Sequence, residues 1–482
     1  MKTPRFPRVR ILTVISALVP LAFTQAEDTN WGQWRGPSGT GAAPESAKPP
    51  LEWSEEKNMK WKVAIPGDGT STPIVWGNKI FIQTAVKASE VKDQAAAEIE
   101  TGEFGEPSTF FVQAEAQEER RGGKGKGGKG RRGGKGGGGG GRGGAPTDAF
   151  NFMILCLDRN DGKILWSKTA TSVVPHEGSH QNHAFGSHTP ATDGEHVYAY
   201  FGSRGLYCYD MEGELVWQKQ LGQMTMRAGF GEGTSLALHG DKVIVNWDHE
   251  GPSFIAAFDK KTGKEIWRKE RDESSTWASP LVIETGDSKA QVVTNGQKAV
   301  RSYDVETGDI LWTSTGQTER PVATPVSDGK NVFVMSGHRG SMLSAVNLSA
   351  AKGDVSEKEA EIWTLDRNTP DIASPVLSNG RLYFTSGKGS YMSAYEAATG
   401  KPLFVQERID GLRDMYASPA AANGHIYIVG REGTTFVIKD ADKLELVATN
   451  KLDDAIDGSP AFSGNDLFLR GRKYLYCLSS AE

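Results

Sequence analysis

The residues best equipped for chemistry cluster in HEGSHQNHAFGSHTP, from His176 to Pro190. The first five, His176-Glu177-Gly178-Ser179-His180, match the H-E-x-x-H pattern, in which a helix sets two imidazoles on a zinc ion and a glutamate activates the bound water. His183 and His188 follow within eight residues. The surroundings argue against a protease. Pro175 precedes the motif, Gly178 and Ser179 fill its centre and Pro190 opens the next element, which leaves no room for the ~10–12 residues of a supported helix. A looser metal site survives, because zinc takes three or four ligands and His176, His180, His183 and His188 supply four imidazoles on one loop. The competing reading is a loop that seals a gap between structural units, with His188 packing locally.

The elements that must position this loop show themselves as an internal repeat. From Thr70 onward one phrase recurs: a small residue, then Ser or Thr and usually Pro, an apolar run, a Gly turn, two β-rich runs, and a last strand carrying Trp. The openings are Thr72-Pro73, Thr189-Pro190, Thr234-Ser235, Ser279-Pro280, Thr324-Pro325, Ser374-Pro375, Ser418-Pro419 and Ser459-Pro460. After the second they are 41 to 50 residues apart, the length of one four-stranded unit. The last-strand aromatic is Trp166, Trp217, Trp267, Trp312, Trp363 and Phe404, with Leu446 in the seventh copy. The eighth copy ends after its third strand, and MKWKVAI, with Trp61, supplies the missing one. The expectation is an all-β, eight-bladed propeller of four-stranded antiparallel blades, closed by an N-terminal strand that completes the last blade. Cys156, Cys208 and Cys477 occupy one repeat position, where other copies have Ala257, Ser302, Ala345 and Ala394. Equivalent places in separate blades do not meet, so three free, buried thiols are expected.

The phrases DMEGELVW, FDKKTGKEIW and YDVETGDILW resemble the tryptophan-docking repeats of the pyrroloquinoline-quinone-like β-propellers. That family includes quinoprotein alcohol dehydrogenases, which hold the quinone and Ca²⁺ above the central channel. It also includes non-catalytic scaffolds such as the propeller subunit of the outer-membrane β-barrel assembly machinery. The dehydrogenases' disulfide between adjacent cysteines has no counterpart here, which places the chain nearer the scaffolds and leaves its cofactor unassigned.

The N-terminus divides the chain further. Lys2, Arg5, Arg8 and Arg10 precede an apolar run from Ile11 to Phe23 and a small residue at Ala26, the layout of a signal peptide over 1–26. The run falls short of a membrane span, and no cysteine stands at the cut to carry a lipid anchor. The expected organisation is a lead-in segment over 27–58 and a propeller over 59–482, with a low-complexity insertion at 87–150. Such a protein is exported, to the periplasm or outside the cell.

In an up-and-down blade, the turns between second and third strands share a face with the loops linking blades. On that face the sequence places Arg204, His338, Arg339, Lys388, Arg431, Arg470 and Arg472 in turns, and Arg227, Trp247, Asp248, His249 and Trp277 in loops. A ring of such cations would favour anionic groups; the alternative is ordinary solvated hairpin tips. The insertion emerges on the same face. Nine Lys or Arg lie between Arg120 and Arg142, preceded by nine acids against two lysines from Lys87 to Glu119. The 120–144 loop could contact a polyanion, but no aromatics are interleaved to stack bases. The leading expectation is a non-catalytic exported scaffold binding a protein, polysaccharide or other anionic ligand on this face. The alternative is a quinone- or metal-dependent oxidoreductase.

Overall fold

The computed structural model describes residues 29–90, 144–286, 289–356, 359–386 and 389–480. The expected signal peptide, the basic part of the insertion and Lys388 lie outside the described residues. Eight antiparallel sheets of four strands follow one another around an axis. The first comprises Ile74–Trp76, Lys79–Lys87, Phe150–Asp158 and Ile164–Val173. The eighth comprises Ala461–Ser463, Asp466–Arg470 and Tyr474–Ser479, and takes Met59–Ala64 as its outermost strand. The eight-bladed ring closes as the repeats imply, and its short inner and longer outer strands reflect the space available near and far from the axis. No helix among the described residues is long and apolar enough to cross a membrane.

Two sets of contacts join the blades. At the axis, the opening Ser or Thr of the second to eighth blades accepts the backbone N–H of the same residue in the blade before. Thr72 donates to Thr189, Thr189 to Ser235, Ser235 to Ser279, and so on through Thr324, Ser374, Ser418 and Ser459, with every N···O distance between 2.9 and 3.0 Å. The hydroxyl in the repeat opening is thus an acceptor for a backbone donor that the narrow axis leaves without a strand partner. The following Pro holds that residue extended. In the third blade the ring residue is Ser235, one position later than the Thr234 at which the repeat opens, and Leu236 stands in the place of Pro.

At the periphery, the tryptophan of one blade lies on the glycine of the next blade's last turn. Trp217 donates from Nε1 to Lys260 O at 2.8 Å, and a Cβ on Gly263 would sit 2.6 Å from its ring. Trp61, Trp166, Trp267 and Trp363 make the same pair of contacts. Trp312 departs because the fifth blade has residues 348–360 where others have the tight turn. Gly353–Asp354 pairs in parallel with Trp312 and Thr313 on the outer edge of the fourth blade, and Trp312 Nε1 turns to Gln291 of its own blade, 2.9 Å away. In the seventh blade the register pairs Val437 with Ala448, so Ala448 rather than the expected Leu446 takes the tryptophan's place. Leu446 instead pairs with Ile438 and is exposed. The cysteines pair directly with these tryptophans, as Cys156 with Trp166, Cys208 with Trp217 and Cys477 with Trp61. All three are free and buried, and burial pushes the Cys156 and Cys208 thiols up to about 12.

The lead-in segment is a strap across the face opposite the blade-linking loops. Trp31 exchanges backbone hydrogen bonds with Val75 of the first blade at 2.8 and 2.9 Å. The strap then crosses the axis, bonds Leu377 and Ala421 in the sixth and seventh blades, and ends with Trp53 stacked on Tyr427. Arg35, beneath the axis, donates to Pro419 O at 2.7 Å and Pro375 O at 2.5 Å.

The docking geometry predicts different costs for two glycine substitutions. Gly263 and Gly240 both have positive φ, 66° and 53°, but a Cβ at Gly240 meets nothing. Both G263A and G240A should incur the left-handed penalty of about 1–2 kcal/mol. Only G263A should add an overpacking cost of about 1–3 kcal/mol against Trp217. Urea midpoints check this; equal losses would remove the docking explanation.

Candidate functional site

Side chains alternate along a strand, so the residue two before each ring hydroxyl faces the axis one step above it. Those residues are Thr70, Ser187, Gly233, Trp277, Val322, Ile372, Tyr416 and Asp457, and all eight line the channel. They are sorted by side. Blades four to seven present Trp277, Val322, Ile372 and Tyr416, while blades eight and one to three present Asp457, Thr70, Ser187 and Gly233. The channel is apolar along one half and polar or small along the other. Its volume is roughly 190 Å³, and Trp34 of the strap reaches its lining from the opposite face.

Above the ring the channel widens into a mouth of roughly 320 Å³ lined by His180, Phe230, Arg320, His338 and Asp371 together with channel residues. Trp277 is fixed by donating from Nε1 to Gly231 O at 2.7 Å and by Phe230 edge-on at 6.2 Å. Tyr416 lies under the Arg431 guanidinium, 4.1 Å from ring centre to Cζ, and its hydroxyl accepts from Asn182 at 3.2 Å. Asp457 is held between Arg431 at 2.7 Å and Arg472 at 2.9 Å, and Arg472 also pairs with Asp68 at 2.6 Å. A second basic group flanks the mouth. Glu319 stands 3.6 Å from Arg227 and 3.3 Å from Arg339, while Arg320, at φ 54°, lies 5.3 Å over the Phe230 ring. Partial burial, then the charges of Arg227 and Arg339, lower the Arg320 pKa. Three guanidinium groups therefore crowd around one glutamate, with Arg339 67% exposed.

The expected site residues thus separate. Trp277 lines the mouth; Arg431 and Arg472 brace Asp457 beneath it; Arg227 and Arg339 form its basic rim. Arg204, Trp247 and His249 do not face solvent. Arg204 is buried against Glu232 at 2.7 Å and between the rings of Phe152 and Phe185. Trp247 stacks on Phe254, and His249 accepts the Thr225 N–H at 3.0 Å. Asp248 is fully buried against Arg271 at 2.7 Å. In the expected cationic collar, Arg204, Arg431 and Arg472 are thus neutralised by nearby acids, and Arg470 is fully buried with no hydrogen-bond partner.

The four histidines do not converge either. His176 bonds Met224 O at 2.7 Å, His180 lies against Phe230, and His188 packs edge-on against Tyr200 with ring centres 5.1 Å apart. His183 lines the channel, and burial lowers its pKa to about 4. Among the described residues, no three His, Cys, Asp or Glu side chains are grouped as a metal would require. Each ring is taken by a separate neighbour, so the loop seals the gap between the first two blades. A quinone with Ca²⁺, which the dehydrogenase branch of the resemblance implies, does not fit this donor set. Asp371 and Asp457 are the carboxylates lining mouth and channel, Asp457 is already held by two arginines, and Ca²⁺ takes six or more oxygens.

Phe230, Arg320, Val322, Ile372 and Tyr416 were not among the expected site residues. For three of them the signal lies in the repeat itself, two positions before Thr324, Ser374 and Ser418. Phe230 and Arg320 stand in irregular loop and carry no such mark.

A family model described as outer membrane protein assembly factor BamB matches residues 151–401 and 255–482. No curated protein matches the sequence. Among solved structures, BamB from Moraxella catarrhalis is 14% identical with a TM-score of 0.49, over 70% of this chain and 95% of that one. A quinohemoprotein alcohol dehydrogenase from Comamonas testosteroni is 10% identical with a TM-score of 0.57, over 95% and 82%. A europium-containing methanol dehydrogenase is 10% identical with a TM-score of 0.56, over 92% and 89%. These likenesses are of fold.

The loop histidines predict a pH dependence of stability. His188 is 2% exposed, and burial lowers its pKa to about 3, against about 6.5 in the unfolded chain. Its contribution is complete above pH ~6.5 and is lost as pH falls toward about 3, by up to about 1.4 kcal/mol per unit. H188F should flatten the fall of the urea midpoint across that window. An unchanged profile would show that His188 does not supply it.

Proposed function

Because the chain belongs to the family described as outer membrane protein assembly factor BamB, we propose that it is an exported protein-binding scaffold that receives its partner at the channel mouth. The observation that carries this reading is the two-sided cavity on the axis, rigidly built from eight blades and flanked by Arg227, Arg320 and Arg339. Its shape suits an inserted apolar side chain, and its rim suits acidic residues on either side of that insertion. Buried aromatic anchors and arginines dominate the energetics of protein interfaces, and Trp277, Phe230, Tyr416 and the three arginines supply both kinds. The basic N-terminus followed by an apolar run supports export. A protein partner is favoured over a polysaccharide or a free polyanion, because the mouth is half apolar and most of the turn cations are already paired. No catalytic set is invoked, and the role is positioning of another chain.

A photoreactive residue at position 339 tests this in the native cell. We expect crosslinking to a discrete protein, reduced at least tenfold by W277A and by reversal of Arg227 to Glu, with none from a probe at position 240 on the opposite face. Equal crosslinking from both faces would overturn the docking site. Saturable quinone binding with dye-linked alcohol oxidation would overturn the scaffold reading itself.

A further inference from the structure

The innermost strand of each blade has one hairpin partner and one free edge, which faces the axis. The third residue beyond each ring hydroxyl holds the same place in every such hairpin, and its N–H points away from the hairpin toward the axis. In four blades the strap receives that N–H. Val75 donates to Trp31 O at 2.9 Å and Thr192 to Gly32 O at 2.8 Å, while Leu377 donates to Thr40 O at 3.2 Å and Ala421 to Gly41 O at 2.8 Å. Two consecutive strap residues thus serve two adjacent blades, once at blades one and two and again at six and seven. The second residue of each pair is glycine, and a Cβ on Gly32 would stand 2.8 Å from Thr192 O. All four edge residues are buried, as is Phe462 of the eighth blade, which packs edge-on against Trp31.

Blades three to five differ. Their edge residues, Leu238, Val282 and Ser327, are partly exposed and line a cavity of roughly 610 Å³ between the strap and these blades. Among the described residues nothing accepts their N–H groups on the axial side. The cavity wall is apolar at Leu236, Leu281 and Ile283, and its carboxylates, Glu284 and Asp328, are exposed. Its one lysine or arginine among the described residues, Arg35, is buried.

We propose that this cavity takes an extended, basic, glycine-containing segment of a partner protein, which adds to the free inner edges of blades three to five as the strap adds to those of its own four blades. Unpaired donors at a strand edge receive an added chain through main-chain hydrogen bonds, and the strap shows that the inner edges of this ring do so. Glycine is required where the segment passes from one inner strand to the next, as at Gly32. Lysine or arginine beside it matches the two exposed acids. The site lies on the face opposite the mouth and stands or falls without it. Gly240 does not line the cavity, and its Cβ would point into open space, so a crosslinker at position 240 stays silent for both sites.

The probe is the peptide acetyl-Lys-Thr-Gly-Leu-Lys-amide, titrated calorimetrically into the full chain, with hydrogen exchange of the chain's own amides as a second readout. We expect saturable binding, at least fivefold weaker when the peptide's glycine is replaced by valine and at least fivefold weaker when its lysines are replaced by glutamate. Slowed exchange should be confined to 236–239, 281–284 and 326–327. V282P removes one outward N–H and no ladder bond, since proline is tolerated on a strand edge, and should weaken binding at least fivefold. W277A, in the mouth, should leave it unchanged, which separates this site from the docking reading. If V282P does not fold, the exchange pattern of the unaltered chain decides. No saturation, equal affinity for either altered peptide, undiminished binding by folded V282P, or slowed exchange at the mouth instead would overturn the proposal. Dimerisation of the chain that V282P abolishes would give the edges to a second copy and overturn it equally.

Discussion

Everything in this molecule depends on one repeated hydrogen bond at its axis. The N–H of each opening residue has no neighbour strand to receive it, because eight inner strands converge there with nothing between them. Satisfying that donor with the hydroxyl of the next blade sets the angular step and fixes every blade's depth relative to its neighbours. Seven such links run from Thr72 to Ser459 at nearly constant length. Once the hydroxyls are fixed, the alternation of the strand fixes the residues two positions earlier as the channel wall. Function can then vary at those positions without disturbing the ring. Trp277, Val322, Ile372 and Tyr416 on one side and Asp457, Thr70, Ser187 and Gly233 on the other are the outcome.

The outer tryptophans serve a different purpose. They fasten each blade to the next where the spacing between sheets is greatest, and the indole N–H gives that contact a direction. The pairing works only where the following blade offers a glycine beneath the ring, and the fourth blade shows what happens otherwise. Without a tight turn in the fifth blade to receive it, Trp312 bonds within its own sheet, and Gly353–Asp354 covers the exposed edge.

Architecture was legible in the sequence because it is periodic. The spacing of Ser/Thr-Pro pairs, the recurring TG–x–x–x–W phrase and the cysteines at a small-residue position all report one position in a repeating unit, and each held. The site was less legible because function requires the repeats to differ. Basic residues in turns were conspicuous, yet Arg204, Arg431 and Arg472 are paired with Glu232, Asp457 and Asp68 from distant loops, and no spacing announces such partners. The histidine loop looked like metal chemistry because its residues are close in sequence, but an irregular loop turns successive side chains toward different neighbours. The strap was opaque for another reason. WGQWRGPSGTG has neither helical nor strand period, and its order comes from the surface it crosses.

The strand Met59–Ala64 has a consequence for how the chain reaches its native state. Its partner, Tyr474–Ser479, belongs to the eighth blade and is made after the other seven, and the strap before it rests on the sixth, seventh and eighth blades. Contacts this distant in sequence are slow to form. The first-synthesised strand of the ring must therefore wait, unpaired, for the eighth blade. Closure is in effect a checkpoint on the ring: without its eighth blade there would be no partner for Trp61, and both the outer clasp and the strap would remain open.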